Sequence, residues 1–143
     1  MSVVVGYSPS APGRAAAEAG IEEAARRSLP LHVVFVARVG VRQETHAQMR
    51  SVQREIEEIA ERARGAGIVA EAHEILSPQP PAEALLGHAR EHGAAVLVIG
   101  VRRRSPVGKA VLGSTSQDVL LRAECPVLGV KASASEERWS GTS

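Results

Sequence analysis

Four short apolar runs rich in β-branched side chains stand out along the chain: Val3 to Val5, Leu31 to Ala37, Ala94 to Ile99, and Val127 to Val130. Runs of this length, bounded by Gly, Pro and Ser, read as strands. Apart from His32 they are almost continuously apolar rather than alternating, which is the pattern of a parallel sheet covered by helices on both faces. A fifth run, Val69 to Leu76, is broken by Glu71, His73 and Glu74 and therefore suits an edge strand.

Helical periods fill the intervals. Ala17, Ile21, Ala24 and Ala25 recur at helical spacing, and Met49, Val52, Ile56, Ile59, Ala60 and Ala63 hold one face until Gly65 and Gly67 end it. Pro80 and Pro81 open a third helix with Ala82, Leu85, Leu86 and Ala89 on its apolar side and Gly93 just past its end. Ser114 and Gln117, spaced as a capping box, start a fourth that buries Val119, Leu120 and Ala123. Strands and helices thus alternate from first to last. With right-handed crossovers, this predicts a doubly wound α/β domain on a five-stranded parallel sheet.

Composition narrows the picture further. A chain of 143 residues supports one core, and with aromatics at 2% that core must be assembled from Ala, Val, Leu and Ile. The net charge of +1 supplies no global field for nucleic acid, and Tyr7, Phe35 and Trp139 are too few for base stacking. No run approaches the roughly 18 apolar residues of a membrane span, and the N-terminus enters a strand without a basic leader, so the expected location is the cytoplasm. Cys125, the single cysteine, precedes Pro126 and an apolar run, where a buried inert thiol is expected. Residues 132–143 are small and polar apart from Trp139, and a disordered tail after a 1–131 domain is the expectation.

In open α/β sheets ligands bind beyond the carboxyl ends of the strands, where the strand order reverses. The segment after the first strand, Gly6 to Gly13, is small and rich in turn formers. The segment after the fourth runs from Gly100 through Arg102, Arg103, Arg104 and Lys109 to Gly113, Ser114 and Thr115. Gly100 and Gly113 permit close backbone approach, Ser114 and Thr115 offer hydroxyls, and the helix start presents unpaired N–H groups, which together would receive a phosphate. The alternative is that Ser114 caps its own helix and Gly113 makes a turn. A Walker A loop fails, since Gly108-Lys109 is followed by Ala110, and a G-x-G-x-x-G fingerprint is missing from the first strand-to-helix turn.

The spacing of Gly100, Gly113 and Ser114, with the flanking text Val96-Leu97-Val98-Ile99 and Cys125-Pro126-Val127-Leu128, resembles the universal stress protein family from Val3 to Lys131. The resemblance implies the Rossmann-like fold of the adenine nucleotide alpha hydrolases with strand order 3-2-1-4-5, and ATP, with or without Mg, or another adenine nucleotide as ligand. It maps Val36 and Ile99 beside the nucleotide, and Thr115 and Ser116 near its phosphates. Two positions depart from the family pattern. Arg103 replaces the second motif glycine, where it either blocks the backbone's approach to a phosphate or supplies a charge-assisted contact. Ser8 stands where the family carries an acidic residue that helps hold the adenosine.

The resemblance therefore implies a stress-response sensor or regulator at Ser8, Val36, Ile99, Gly100, Arg103, Gly113, Ser114, Thr115 and Ser116. The alternative is a nucleotide-free, dimeric interaction module with a degenerate pocket. In the family's strand order, Val127 to Val130 form an edge with no protecting charge before Lys131, which predicts a homodimer. Ser8, Ser10, Ser105 and Ser114 have no evident His or Asp partner, so no catalytic residue is assigned, with slow nucleotide hydrolysis the most that is envisaged. His88 and His92 have metal-compatible spacing, but no Glu follows the first and no third ligand is evident. A solvated helix face and no metal site are the expectation.

Overall fold

The computed structural model describes residues 1–39, 46–102 and 112–132. Arg103 to Lys109 and Trp139, on which part of the sequence reading rests, lie outside the described residues. The strands β1 (Ser2–Gly6), β2 (Leu31–Arg38), β3 (Ala70–Ser77), β4 (Ala94–Gly100) and β5 (Val127–Val130) form one parallel sheet in the order β3-β2-β1-β4-β5. Between them come helices α1 (Ala11–Arg27), α2 (His46–Gly65), α3 (Pro81–Glu91) and α4 (Ser114–Arg122).

Each face of the sheet is sealed by one pair of helices. Val3, Val5, Leu31, Val33, Val96 and Val98 pack under α1 and α2, while Val4, Val34, Leu97 and Ile99 pack under α3 and α4. Both faces of β1 are therefore buried, and Val3, Val4 and Val5 are fully enclosed. This is why the strand reads as an unbroken apolar run. Each such valine contributes about 1.5–3 kcal/mol of burial. Helix α1 meets the sheet through Ala16, Ala17, Gly20 and Ala24. A Cβ on Gly20 would stand 2.2 Å from Val5 Cγ2, so α1 lies closer to the sheet than a larger residue there would permit. With so few aromatics, close approach of small residues replaces bulk as the means of filling the core.

Several details differ from the sequence reading. Ala25 is exposed, because the inward stripe of α1 runs through Ala17, Gly20 and Ala24 instead. In α4 only Val119 is buried. Leu120 is exposed and Ala123 half-buried, since this nine-residue helix touches the sheet along one narrow line. Ala132, assigned to the polar tail, is buried at the end of the body. Strand β3 does occupy one edge of the sheet and β5 the other.

Candidate functional site

Parallel pairing brings the ends of β1 and β4 level, with Gly6 opposite Ile99. The turn after β1 is drawn tight by serines. Ser10 has extended backbone geometry and caps α1, its Oγ accepting the Gly13 N–H at 3.1 Å, while the Ser8 and Ser10 hydroxyls stand 2.9 Å apart. A Cβ on Gly13 would stand 1.9 Å from the Ser8 carbonyl oxygen. Ser8 itself is exposed, and its described hydrogen-bond partners lie within this same turn.

Gly100 has a different task from the one expected. A Cβ there would meet the Pro12 carbonyl carbon and oxygen at 2.5 Å and the Gly13 nitrogen at 2.8 Å. The close approach that Gly100 permits is thus that of the α1 N-terminus to the end of β4. Ile99 is buried on the opposite face, and Val36 is half-buried against the same cluster. Ser116, in the first turn of α4, donates its hydroxyl to the Gly100 carbonyl at 3.4 Å and ties the α4 start to β4.

The start of α4 corrects the capping-box expectation. Gly113, not Ser114, is the N-cap residue; its carbonyl accepts the Gln117 N–H at 2.9 Å, and no side chain caps the helix. Ser114 is therefore the first helical residue, and it is exposed, with Thr115 half-buried beside it. Nothing lies within 4 Å of where a Gly113 Cβ would stand among the described residues. A helix start without a side-chain cap carries partial positive charge and two nearby hydroxyls, a chemistry suited to an anion. The structure thus brings Gly100, Gly113, Ser114, Thr115 and Ser116 to one end of β4, with Ile99 below and Ser8 on the neighbouring turn. Arg103 lies outside the described residues.

A larger groove of about 940 Å³ opens between α1 and α2, lined by Tyr7, Arg14, Glu18, Glu55, Glu58 and Arg62 among others. Arg62 and Arg14 are engaged by Glu18 and Glu55, at 2.6 and 3.5 Å. Its remaining acids, Glu22 and Glu58, make it a poor phosphate receptor. Tyr7 is buried beneath this groove, and its hydroxyl donates to Glu55. Burial, reinforced by that carboxylate, holds the Tyr7 pKa above the ordinary tyrosine value.

Residues 1–131 match the model of the universal stress protein family. The chain belongs to that family. A universal stress protein of Mycolicibacterium smegmatis is 38% identical over 130 residues, spanning 90% of this chain and 96% of the relative. A universal stress protein from Archaeoglobus fulgidus superposes with a TM-score of 0.77 at 30% identity, covering 92% of this chain and 98% of the other. A structure of an A. fulgidus universal stress protein in complex with dAMP superposes at 0.69 with 25% identity, again over 92% and 98%. No helix among the described residues is long and apolar enough to cross a membrane.

Sequence reasoning missed one constellation altogether. His88, expected on a solvated face, is buried and meets His32, His73 and His92. The signal was His32, the one polar residue in the run Leu31 to Ala37; its ring neighbours lie on the next strand and at the end of a helix rather than along one helix.

Proposed function

We propose that this universal stress protein binds an adenine nucleotide, ATP or a relative of it, where Gly113, Ser114 and Thr115 begin α4, and that the bound state serves as a signal rather than as a step in turnover. The observation that carries this reading is the start of α4, which among the described residues has no side-chain cap and lies at the switch point of the sheet. The dAMP complex of the A. fulgidus relative supports the ligand class. Arg103, outside the described residues, either supplies a charge-assisted phosphate contact or obstructs the backbone's approach, and Arg103→Gly separates the two by weaker or tighter nucleotide binding. Ser8, a neutral hydroxyl at the usual acidic position, leaves less negative charge for the triphosphate to face.

Calorimetric titration of nucleotide-stripped protein with ATP and magnesium, and with AMP and cAMP, tests the proposal. Saturable binding that disappears in Gly113→Arg is the expected result. No heat up to about a millimolar, where binding is worth only about 4 kcal/mol, sinks it. A second reading, that the family domain works as a dimeric interaction module without nucleotide, draws on Leu121, which is 76% exposed on α4, and on β5 as an edge strand of the sheet.

A further inference from the structure

Four of the five histidines of the chain converge at the end of the sheet opposite the nucleotide site. His32 is the second residue of β2, and its neighbour in register on β3 is Glu71; Val34, two residues on, is level with His73. Both strands thereby aim an imidazole at the face covered by α3. That helix runs back toward the beginnings of the strands, and its last turn supplies His88 and His92, one turn apart. All six pairs of rings have centroids between 4.1 and 5.8 Å apart.

These distances have a simple interpretation. With Zn–N bonds of about 2.0–2.1 Å, four imidazoles arranged tetrahedrally around one ion place their ring centres about 5 Å from one another. Ligand atoms of His32, His88 and His92 already lie within 4.8 Å of each other, as do those of His32, His73 and Glu71. Nε2 of His88 is buried with no hydrogen-bond partner among the described residues, a costly state for a polar nitrogen unless something else occupies its lone pair. Nδ1 of His32 and Nε2 of His73 are 2.9 Å apart, and Glu71 Oε2 lies 3.5 and 3.6 Å from these same two nitrogens.

We propose that His32, His73, His88 and His92 form a tetrahedral site for Zn2+, with the Glu71 carboxylate offsetting part of the ion's charge. Imidazole is a suitable donor for this borderline ion. Four protein nitrogens leave no open coordination position, so the ion fastens edge strand β3 to α3 rather than activating water.

The test uses the full chain, stripped of metal with a chelator and titrated with Co2+ alone while visible absorption is recorded. One equivalent should produce the intense bands of four-coordinate Co2+, Zn2+ should displace them, and the melting temperature should rise with Zn2+ concentration. Loss of an outer-sphere partner costs 10–100-fold in affinity in known sites, so His88→Gln and His92→Gln should each weaken Zn2+ binding at least about a hundredfold. His46→Gln should leave it intact. Folded wild-type protein without the tetrahedral bands overturns the proposal, as do bands of full strength in both variants. Should His88→Gln fail to fold, His92→Gln, at the half-buried end of α3, decides alone. Nucleotide binding measured on the same samples is independent of this outcome.

Discussion

Two glycines that the sequence places in one motif face different surroundings. Gly100 lies against the backbone of Pro12 and Gly13, which has no flexible end to move aside, whereas no described residue comes within 4 Å of where a Gly113 Cβ would stand. Gly100→Ala is therefore expected to cost about 1–3 kcal/mol through overpacking, and Gly113→Ala less than about 1. Urea unfolding of the two variants would show this order, and equal effects would contradict the packing argument. Tyr7, the only tyrosine, makes a second prediction at this scale. Burial and the Glu55 carboxylate raise its folded pKa above the unfolded value near 10. Above pH 10 the unfolded chain releases a proton that the folded chain keeps, so stability is complete below pH 10 and falls as pH rises beyond it. Tyr7→Phe should flatten that alkaline slope by up to about 1.4 kcal/mol per pH unit, as read from denaturation between pH 9 and 11. At Cys125 burial likewise raises the thiol pKa, so alkylation at pH 8 should run several-fold slower in the folded protein than in urea.

At the scale of single elements, what the sequence could show depended on whether a signal was local. The strands were visible because β1, β2 and β4 are covered on both faces, which leaves His32 as the one polar residue within the runs Val3 to Val5, Leu31 to Ala37 and Ala94 to Ile99. That exception, His32, had a cause lying 41 residues away in sequence at His73 and on a helix beyond it. Periodicity along one helix cannot reveal a partner on a neighbouring strand, so His88 looked solvated. The cap of α4 was misplaced for a related reason: Ser114 and Gln117 fit a capping box, but Gly113 takes the cap position and leaves Ser114 inside the helix. The glycine motif itself was legible, while the use of Gly100 was not, because the backbone it admits comes from a different loop. The α1 cap was equally hidden among several small residues, although Ser10 holds it. Ser10→Ala removes the acceptor of the Gly13 N–H and should cost about 1 kcal/mol in thermal or urea unfolding, without changing the helix content of the native state.

For the molecule as a whole, the remaining question is how the edges of the sheet are used. On the β3 side, Glu71, His73 and Glu74 break the apolar pattern, and in a metal-bound state the edge would also be fastened to α3. Among the described residues, the β5 side carries no comparable protection. Leu97 and Val101 donate their N–H groups to the Pro126 and Val130 carbonyls, so alternation along the strand turns the N–H and C=O groups of Val127 and Gly129 away from β4. Leu120 and Leu121 on α4, the helix that precedes β5 in the chain, expose apolar surface. A hydrogen-bonding edge is complementary to a second copy of itself about a two-fold axis, where each strand pairs antiparallel with its partner. The same arrangement would carry the two α4 helices, and with them any bound nucleotides, toward the shared interface. Leu121→Glu, which places a charge on that surface without touching the core, should convert a dimer to a monomer in sedimentation velocity at micromolar concentration. A wild type that sediments as a monomer up to about 100 μM would leave the β5 edge unused and remove self-association from the proposed signalling role.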